Sequence, residues 1–345
     1  MYAALDKQEL LVYAQDAMPN QAYHCPRCQE PLFLKSSARG RPYFAHVTAC
    51  GAKATNLRTG ESDLHQAAKI LLSRGQVDGK IEHWLAKSGQ QVDVLLPPNR
   101  VLEYQQSKIP PQLLSHRNND YLDQGLDPMW IGRAGDFSLK NLSRWQKYMV
   151  QYHANLGFHW WALDSKAKIL KLYGHLPILY QADKWQVDYY YIPLVDGWYQ
   201  DLDLTRIPWQ SLHVKRKNSR QKMAYQIAIQ KSDRHRQLLQ DLAQVGIYLA
   251  DAPNWIFQHN WKTFYLLGPC WVLLLLSWAY IKSQQDQIIT ADHLCQWIHD
   301  WQERTYLEVN PMPLVPHKSI RPLAQAVLAC MAHYDQDLAK NVLCS

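Results

Sequence analysis

The chain has 345 residues, enough for a sizeable core and for more than one domain, and its 47% hydrophobic and 19% charged content excludes a mostly disordered polymer. The formal charge is +7, and the stretch 211–236 alone carries eight basic side chains (Lys215, Arg216, Lys217, Arg220, Lys222, Lys231, Arg234 and Arg236) against the single acid Asp233. So concentrated a basic element points to a polyanion, either nucleic acid or an anionic surface, unless it is only a solvated helix face. Seven cysteines, of which only Cys25 and Cys28 are closely spaced, are poor material for a disulfide framework and suit a reducing cytosol. The first residues, Met1 to Lys7, lack a basic segment followed by an apolar one, so no signal peptide is expected.

Residues 1–57 form the first predicted domain. Cys25-Pro26-Arg27-Cys28 is followed by a β-like excursion over Pro31 to Phe44 and then by His46 and Cys50. Two soft ligands on a tight knuckle, with a second pair after a short hairpin, is the spacing of a closed structural zinc site. Such a site, made by Cys25, Cys28, His46 and Cys50, would serve folding rather than chemistry. The alternative is a free CxxC with an unrelated histidine.

Residues 58–135 read as a compact α/β pattern. Thr59 to Asp63 opens a helix whose apolar side is expected at Leu64, Ala67, Ala68, Leu71 and Leu72, with Gly75 and Gly79 ending it. Strands are expected at Ile81 to Ala86 and Gln91 to Leu96, a turn at Pro97-Pro98-Asn99, and a returning strand at Val101 to Gln106. A helix from Gln112 to about Gln124 and a strand at Met129 to Gly132 complete the order helix, three strands, helix, strand. From 136 to 345 the Trp-, Tyr- and Leu-rich sequence reads as a mostly helical domain carrying the basic segment 211–236. Its most apolar run, within Phe264 to Ile281, is broken by Gly268-Pro269 and reads as a buried helix too short to cross a bilayer of about 30 Å.

The chemistry-bearing residues gather in the middle region. Asp93 stands inside the apolar run Val92 to Leu96, and Glu103 and Gln105 share one face of the next strand. A hairpin between the strands can bring Asp93 opposite them. An acid in a strand core is costly unless it is paired or binds a cation, so two converging carboxylates suggest Mg²⁺ or Mn²⁺, which prefer hard oxygen ligands. Glu61, His65 and Lys69 follow at intervals of four on one face of the preceding helix. The spacing D-x9-E-x-Q after such a helix resembles the PD-(D/E)xK nuclease core with Gln in place of Lys. The bland alternatives are an Asp93 paired with Arg100 or Arg117, solvent-facing Glu103 and Gln105, and a satisfied His65.

Tyr23-His24-Cys25-Pro26-Arg27-Cys28, Pro42 to His46, Gly60 to His65, Val92 to Leu95, Leu102 to Ser107, Arg117 to Tyr121 and Met129 to Gly132 together resemble the CoiA competence-protein family. The resemblance implies an α+β protein with a zinc-ribbon-like element, a PD-(D/E)xK nuclease-like core and a mostly helical C-terminal domain. It implies a cytosolic protein that acts on incoming transforming DNA, alongside RecA and DprA. Carried onto this chain, it gives Asp93 and Glu103 as metal ligands, Gln105 in the place of the usual Lys, Glu61 and His65 as their partners, and Cys25, Cys28 and His46 as the zinc-binding element. Gln105 orients water but brings no charge, so Lys69, Lys108 or Arg117 would have to supply it. Two functions follow. One is metal-dependent hydrolysis of DNA, single-stranded or branched, with Lys215, Arg216, Lys217 and Arg220 along the backbone. The other is a non-catalytic mediator that holds single strands by aromatic stacking and hands them to a recombinase.

Overall fold

The computed structural model describes residues 3–8, 11–14, 16–25, 28–36, 42–46, 63–85, 87–136, 139, 142–182, 184–200, 202–215, 229, 231–284, 287–316 and 318–343. They fall into two compact units. One comprises Met1–Tyr104, Asn119–Met129 and Leu194–Asp201, and the other Gln105–Asn118, Trp130–Pro193 and Leu202–Ser345.

The first unit opens with five short strands, β1 (Ala3–Leu5), β2 (Leu11–Tyr13), β3 (Tyr23–His24), β4 (Pro31–Ser36) and β5 (Pro42–His46), in the sheet order β2-β1-β3-β4-β5 with antiparallel pairing. Their core is small: Ala4, Ala14, Tyr23, Cys25, Leu32 and Phe44, with the Tyr23 and Phe44 rings 4.9 Å apart. Helix α1 (Asp63–Leu72) follows, then β6 (Lys80–Ile81), β7 (Trp84–Leu85), β8 (Gln90–Gln91), β9 (Val94–Leu96) and β10 (Arg100–Tyr104). β6, β9 and β10 form an antiparallel ladder with Lys80 opposite Leu95 and Leu102 opposite Val94, while β7 and β8 make a separate hairpin.

Two local features depart from the sequence reading. The expected strands over Ile81 to Ala86 and Gln91 to Leu96 are each split in two: Glu82 adopts a left-handed backbone, φ 54°, between β6 and β7, and Val92 and Asp93 separate β8 from β9. The buried stripe of α1 is also rotated. His65, Ala68, Lys69 and Leu72 point inward, whereas Leu64 is 52% and Ile70 45% exposed. The inward residues still obey the i, i+3, i+4, i+7 rule, but two of the four are polar because their partners lie inside.

The segment 194–201 belongs to this unit through specific bonds. The Trp198 indole donates to the Leu72 carbonyl at 3.0 Å, the Gly197 amide donates to Arg74, and Arg100 donates to the Tyr199 hydroxyl at 3.0 Å.

Helix α2 (Pro111–Leu122) and strand β11 (Asp127–Arg133) lie close to their expected positions. Beyond them the second unit corrects the expectation of a mostly helical domain. After α3 (Arg144–Tyr148) come β12 (Gln151–His153), β13 (Gly157–Asp164), β14 (Ile169–Gly174), β15 (Tyr180–Gln181), β16 (Lys184–Pro193) and β17 (Gln210–Lys215). β13 pairs in parallel with β11 and antiparallel with β14, β14 with β16, and β16 with β17. Interior strands buried on both faces read as continuous apolar runs, which periodicity cannot tell from buried helix. β13, with Trp160 to Leu163 all buried, is such a run.

Helices do dominate after residue 235: α4 (Arg236–Gln244), α5 (Asn254–Gln258), then the short strand β18 (Trp261–Lys262), α6 (Cys270–Ser283), α7 (Ala291–Glu303), α8 (Arg321–Tyr334) and α9 (Gln336–Ala339). α6 is the expected buried helix, with Leu273, Leu274 and Leu275 fully enclosed and α5 and α8 packed against it. No helix among the described residues is long and apolar enough to cross a membrane.

Gly132 explains itself in this unit. A Cβ there would meet the ring of the buried Trp160 at 2.5 Å, far inside contact distance. The rigid indole cannot swing aside within a packed sheet. Gly132→Ala is therefore expected to cost about 1–3 kcal/mol and to lower the melting temperature of the protein, measured by circular dichroism.

Candidate functional site

Two clusters of functional side chains lie in the first unit. The first is built by the N-terminal sheet. β3 ends at His24, and beyond it the Cys25 amide donates to Glu30 at 2.8 Å and the Gln29 amide to Cys25 at 2.9 Å. Gln29 takes a left-handed backbone, φ 59°, which closes the knuckle. Pairing of β4 with β5 sets His46 opposite Leu32, whose other neighbour is Tyr23, so the end of β5 returns beside the knuckle.

The result is that donor atoms of Cys25, Cys28 and His46 lie within 4.8 Å of one another. Cys28 Sγ and His46 Nε2 are 3.3 Å apart. Ligands of a tetrahedral zinc ion, at about 2.3 Å for sulfur and 2.0 Å for nitrogen, stand about 3.5 Å from each other. The three donors thus fit a closed soft-metal site, and among the described residues they are the one group of three or more such donors gathered this tightly. Cys50, the expected fourth ligand, lies outside the described residues.

The second cluster joins α1 to the β9–β10 hairpin. Continuing the register from Leu102 opposite Val94 puts Glu103 opposite Asp93, on one face of the ladder. Asp93 is 6% exposed and Glu103 1%. One Asp93 oxygen, Oδ2, accepts from the Tyr104 amide at 2.9 Å and stands 3.0 Å from His65 Nε2. Glu103 Oε1 accepts from the Tyr121 hydroxyl at 2.6 Å. One turn along α1 from His65, the buried Lys69 ammonium donates to Glu82 Oε1 at 2.5 Å. The Glu82 amide in turn donates to the Asp93 carbonyl at 2.9 Å, so the same kink that splits the strand ties the Lys69 pair to the Asp93 backbone.

Of the bland alternatives, the pairing of Asp93 with Arg100 is not what the structure has: Arg100 is engaged by Asp127 at 2.7 Å. Glu103 is buried rather than solvent-facing. His65 is a satisfied histidine, and its partner is the candidate ligand Asp93 itself. Glu61 lies outside the described residues, as do Arg216, Lys217 and Arg220 of the basic segment; Lys215 ends β17.

In the second unit, Gln105 is buried and its amide nitrogen donates to the Ser107 carbonyl at 2.7 Å. Lys108 is exposed, and the Arg117 guanidinium lies 5.3 Å from the centre of the Trp130 ring. Sequence reasoning gave no role to Glu82 or Tyr121. The signal for Glu82 was indirect, an inward-facing Lys69 that demands a counter-charge. For Tyr121 it was only a polar-tipped aromatic four residues after Arg117.

A family model for the nuclease-like domain of competence protein CoiA matches residues 61–202, and one for the N-terminal domain of the same protein matches residues 7–53. The first span holds the carboxylates and runs on through the 194–201 segment of the first unit; the second holds the cysteine knuckle. No curated protein and no solved structure matches the chain.

Two outcomes test these clusters. Protein purified without chelators is expected to contain about one equivalent of zinc by elemental analysis, and Cys28→Ser to lose it and destabilise the N-terminal sheet; metal-free wild type would remove the assignment. Glu82→Gln removes the carboxylate that the buried Lys69 ammonium donates to and is expected to destabilise the protein, with much of the loss recovered by adding Lys69→Met; denaturant melts of the two variants measure it.

With both models matched in chain order and together spanning more than half of its 345 residues, the chain belongs to the CoiA competence-protein family.

Proposed function

We propose that this protein is a metal-dependent deoxyribonuclease of the PD-(D/E)xK type that acts on incoming transforming DNA in the cytosol during natural transformation and recombination. The observation that carries the reading is the pair Asp93 and Glu103, both buried, Glu103 in β10 and Asp93 directly before β9, in a span matched by the nuclease-like domain. Two carboxylates so placed repel unless a cation or a proton intervenes. Their hard oxygens suit Mg²⁺ or Mn²⁺, which are held by one or two carboxylates with water completing the shell. Such an ion supplies Lewis-acid charge to the scissile phosphate and lowers the pKa of a bound water.

The chain's own residues do the rest. The Tyr104 amide and His65 fix the Asp93 carboxylate, and Tyr121 fixes Glu103, so neither acid has to be ordered when substrate arrives. With its amide nitrogen held by Ser107, Gln105 presents its carbonyl oxygen as an acceptor that orients the attacking water. Glu61 adds a ligand to the ion or to its water. His65 shares a proton with Asp93 and protonates the leaving oxygen. The charge that a Lys in place of Gln105 would have brought comes from Lys69, whose ammonium is fixed by Glu82. The basic segment 211–236, with Lys108 and Arg117, tracks the phosphate backbone. Cys25, Cys28, His46 and Cys50 hold a structural zinc ion, and RecA and DprA are the partners that the family resemblance implies.

The deciding experiment incubates the purified protein with labelled single-stranded, duplex and branched DNA in Mg²⁺, Mn²⁺ or EDTA. Cleavage is expected with the metals and not with EDTA. Asp93→Ala and Glu103→Ala should abolish it while DNA binding survives; Gln105→Ala should cripple it, and Gln105→Lys should raise it. Tight binding without cleavage in any metal would replace this reading by the mediator, and an Asp93→Ala variant that cleaves like wild type would show the site is elsewhere.

A further inference from the structure

The second unit contains a cavity of about 310 Å³ where α6 begins, between β15 and β18 and the turn into the helix. Most of its lining comes from beyond residue 202, outside both family matches. Two lysines, Lys147 and Lys262, face it, and no Asp or Glu is among its described lining residues. The Lys147 ammonium donates to the Leu266 carbonyl, a neutral partner that leaves its charge uncompensated. Glu308, the acid acting on Lys147, is already paired with Arg144, whose Nη1 donates to it at 2.9 Å. Burial first, and Lys262 second, pull Lys147 down to about 8, against the smaller opposing pull of Glu308.

Neutral donors converge on the same space. Helix α6 starts at Cys270 behind Pro269, which supplies no side-chain cap, and both residues line the cavity. Thr263 is 3% exposed, and its hydroxyl oxygen accepts from the Tyr265 amide at 3.1 Å, leaving its O–H to donate. Cys270 adds no negative charge, because burial pushes its thiol up to about 12. At Gly268 a side chain would meet nothing within 4 Å, which marks open space in the lining.

We propose that this cavity binds a phosphomonoester, with a nucleoside 5′-monophosphate as its ligand class. The two ammonium groups, the Thr263 hydroxyl and the start of α6 take the phosphate. The volume lies at the small end of ligand pockets, about 300–1,000 Å³, and exceeds what a bare phosphate fills. The remaining walls include Tyr180 and Trp261, apolar and aromatic surface suited to a nucleoside. The same phosphate can come from a free nucleotide or from the 5′ end of a strand. The site is independent of the carboxylate cluster and of whether that cluster cleaves DNA.

Calorimetric titration of the full chain, without added divalent ions, separates the possibilities. The probes are dTMP, thymidine, inorganic phosphate, and one oligonucleotide carrying either a 5′-phosphate or a 5′-hydroxyl. One equivalent of dTMP should bind and thymidine should not. Lys262→Gln should weaken dTMP binding about tenfold to a hundredfold, the loss of one charge-assisted contact. Gly268→Asp, which puts a carboxylate into open space, should abolish it. A preference for the 5′-phosphorylated oligonucleotide that vanishes in Lys262→Gln, with no binding of dTMP, assigns the site to strand ends. If neither ligand binds in a phosphate-dependent way, or if both variants bind like wild type, the proposal is overturned. Should Gly268→Asp fail to fold, Lys262→Gln decides alone, since that side chain is only half-buried on a two-residue strand.

Discussion

Asp93 is a carboxylate placed at the end of the β9–β10 pair, where water cannot solvate it, and the first unit is arranged around meeting that cost. Leaving such a group unpaired would take several kcal/mol, comparable to a large fraction of a domain's net stability. A single oxygen of Asp93 is therefore shared by the Tyr104 amide, from the facing strand, and His65, from α1. That sharing fixes the rotation of α1 about its own axis. With His65 turned inward, Lys69 and Leu72 must follow, and Leu64 and Ile70 are left in solvent although they are the more apolar residues. Helix orientation is thus set by an electrostatic requirement and not by the hydrophobic stripe.

The inward Lys69 creates a second requirement, which Glu82 meets from a strained backbone. A left-handed residue other than glycine costs about 1–2 kcal/mol, and the structure accepts it at the one position where the kink brings a carboxylate to a buried ammonium. The two pairs are not independent, since the Glu82 amide is bonded to the Asp93 carbonyl. Side-chain pairing, backbone strain and strand register therefore form one connected set. A change at any member is expected to be felt by the others, which is the condition under which mutational effects stop being additive.

Much of this was legible in the sequence, for definable reasons. The order of helix, strands, helix and strand followed from apolar runs bounded by glycine and proline, although the first two of the three expected strands are each broken in the structure, giving β6 to β9. Asp93 and Glu103 stood out because acids inside such runs need an explanation, and the structure buries both, with Glu103 in β10 and Asp93 directly before β9. What was not legible depended on tertiary context. The face of α1 was misjudged because periodicity weighs Leu64 above His65, and only a partner in the fold reverses the order. The Glu82 kink leaves no compositional trace. The β-rich stretch 151–215 was misread because Trp and Tyr serve strands and buried helices alike, although Ile169 to Tyr173 does alternate, with Leu170 and Leu172 buried and their neighbours half-buried.

The two donor sets of the first unit also differ in a way that keeps their proposed metals apart. Thiol and imidazole donors on a knuckle favour a borderline-soft ion such as zinc, whereas Asp93 and Glu103 offer oxygen only. The soft set lies at a sheet of five short strands whose core amounts to four small or medium side chains and two packed rings. So small a core gains little from burial, and metal-binding free energy that exists only in the folded state is the natural supplement. The hard set has the opposite position. Its acids are already held by Tyr104, His65 and Tyr121, so the ladder does not need an ion to form. An ion at the proposed site would be free to exchange and to be chemically engaged, the freedom that the proposed cleavage requires of its metal.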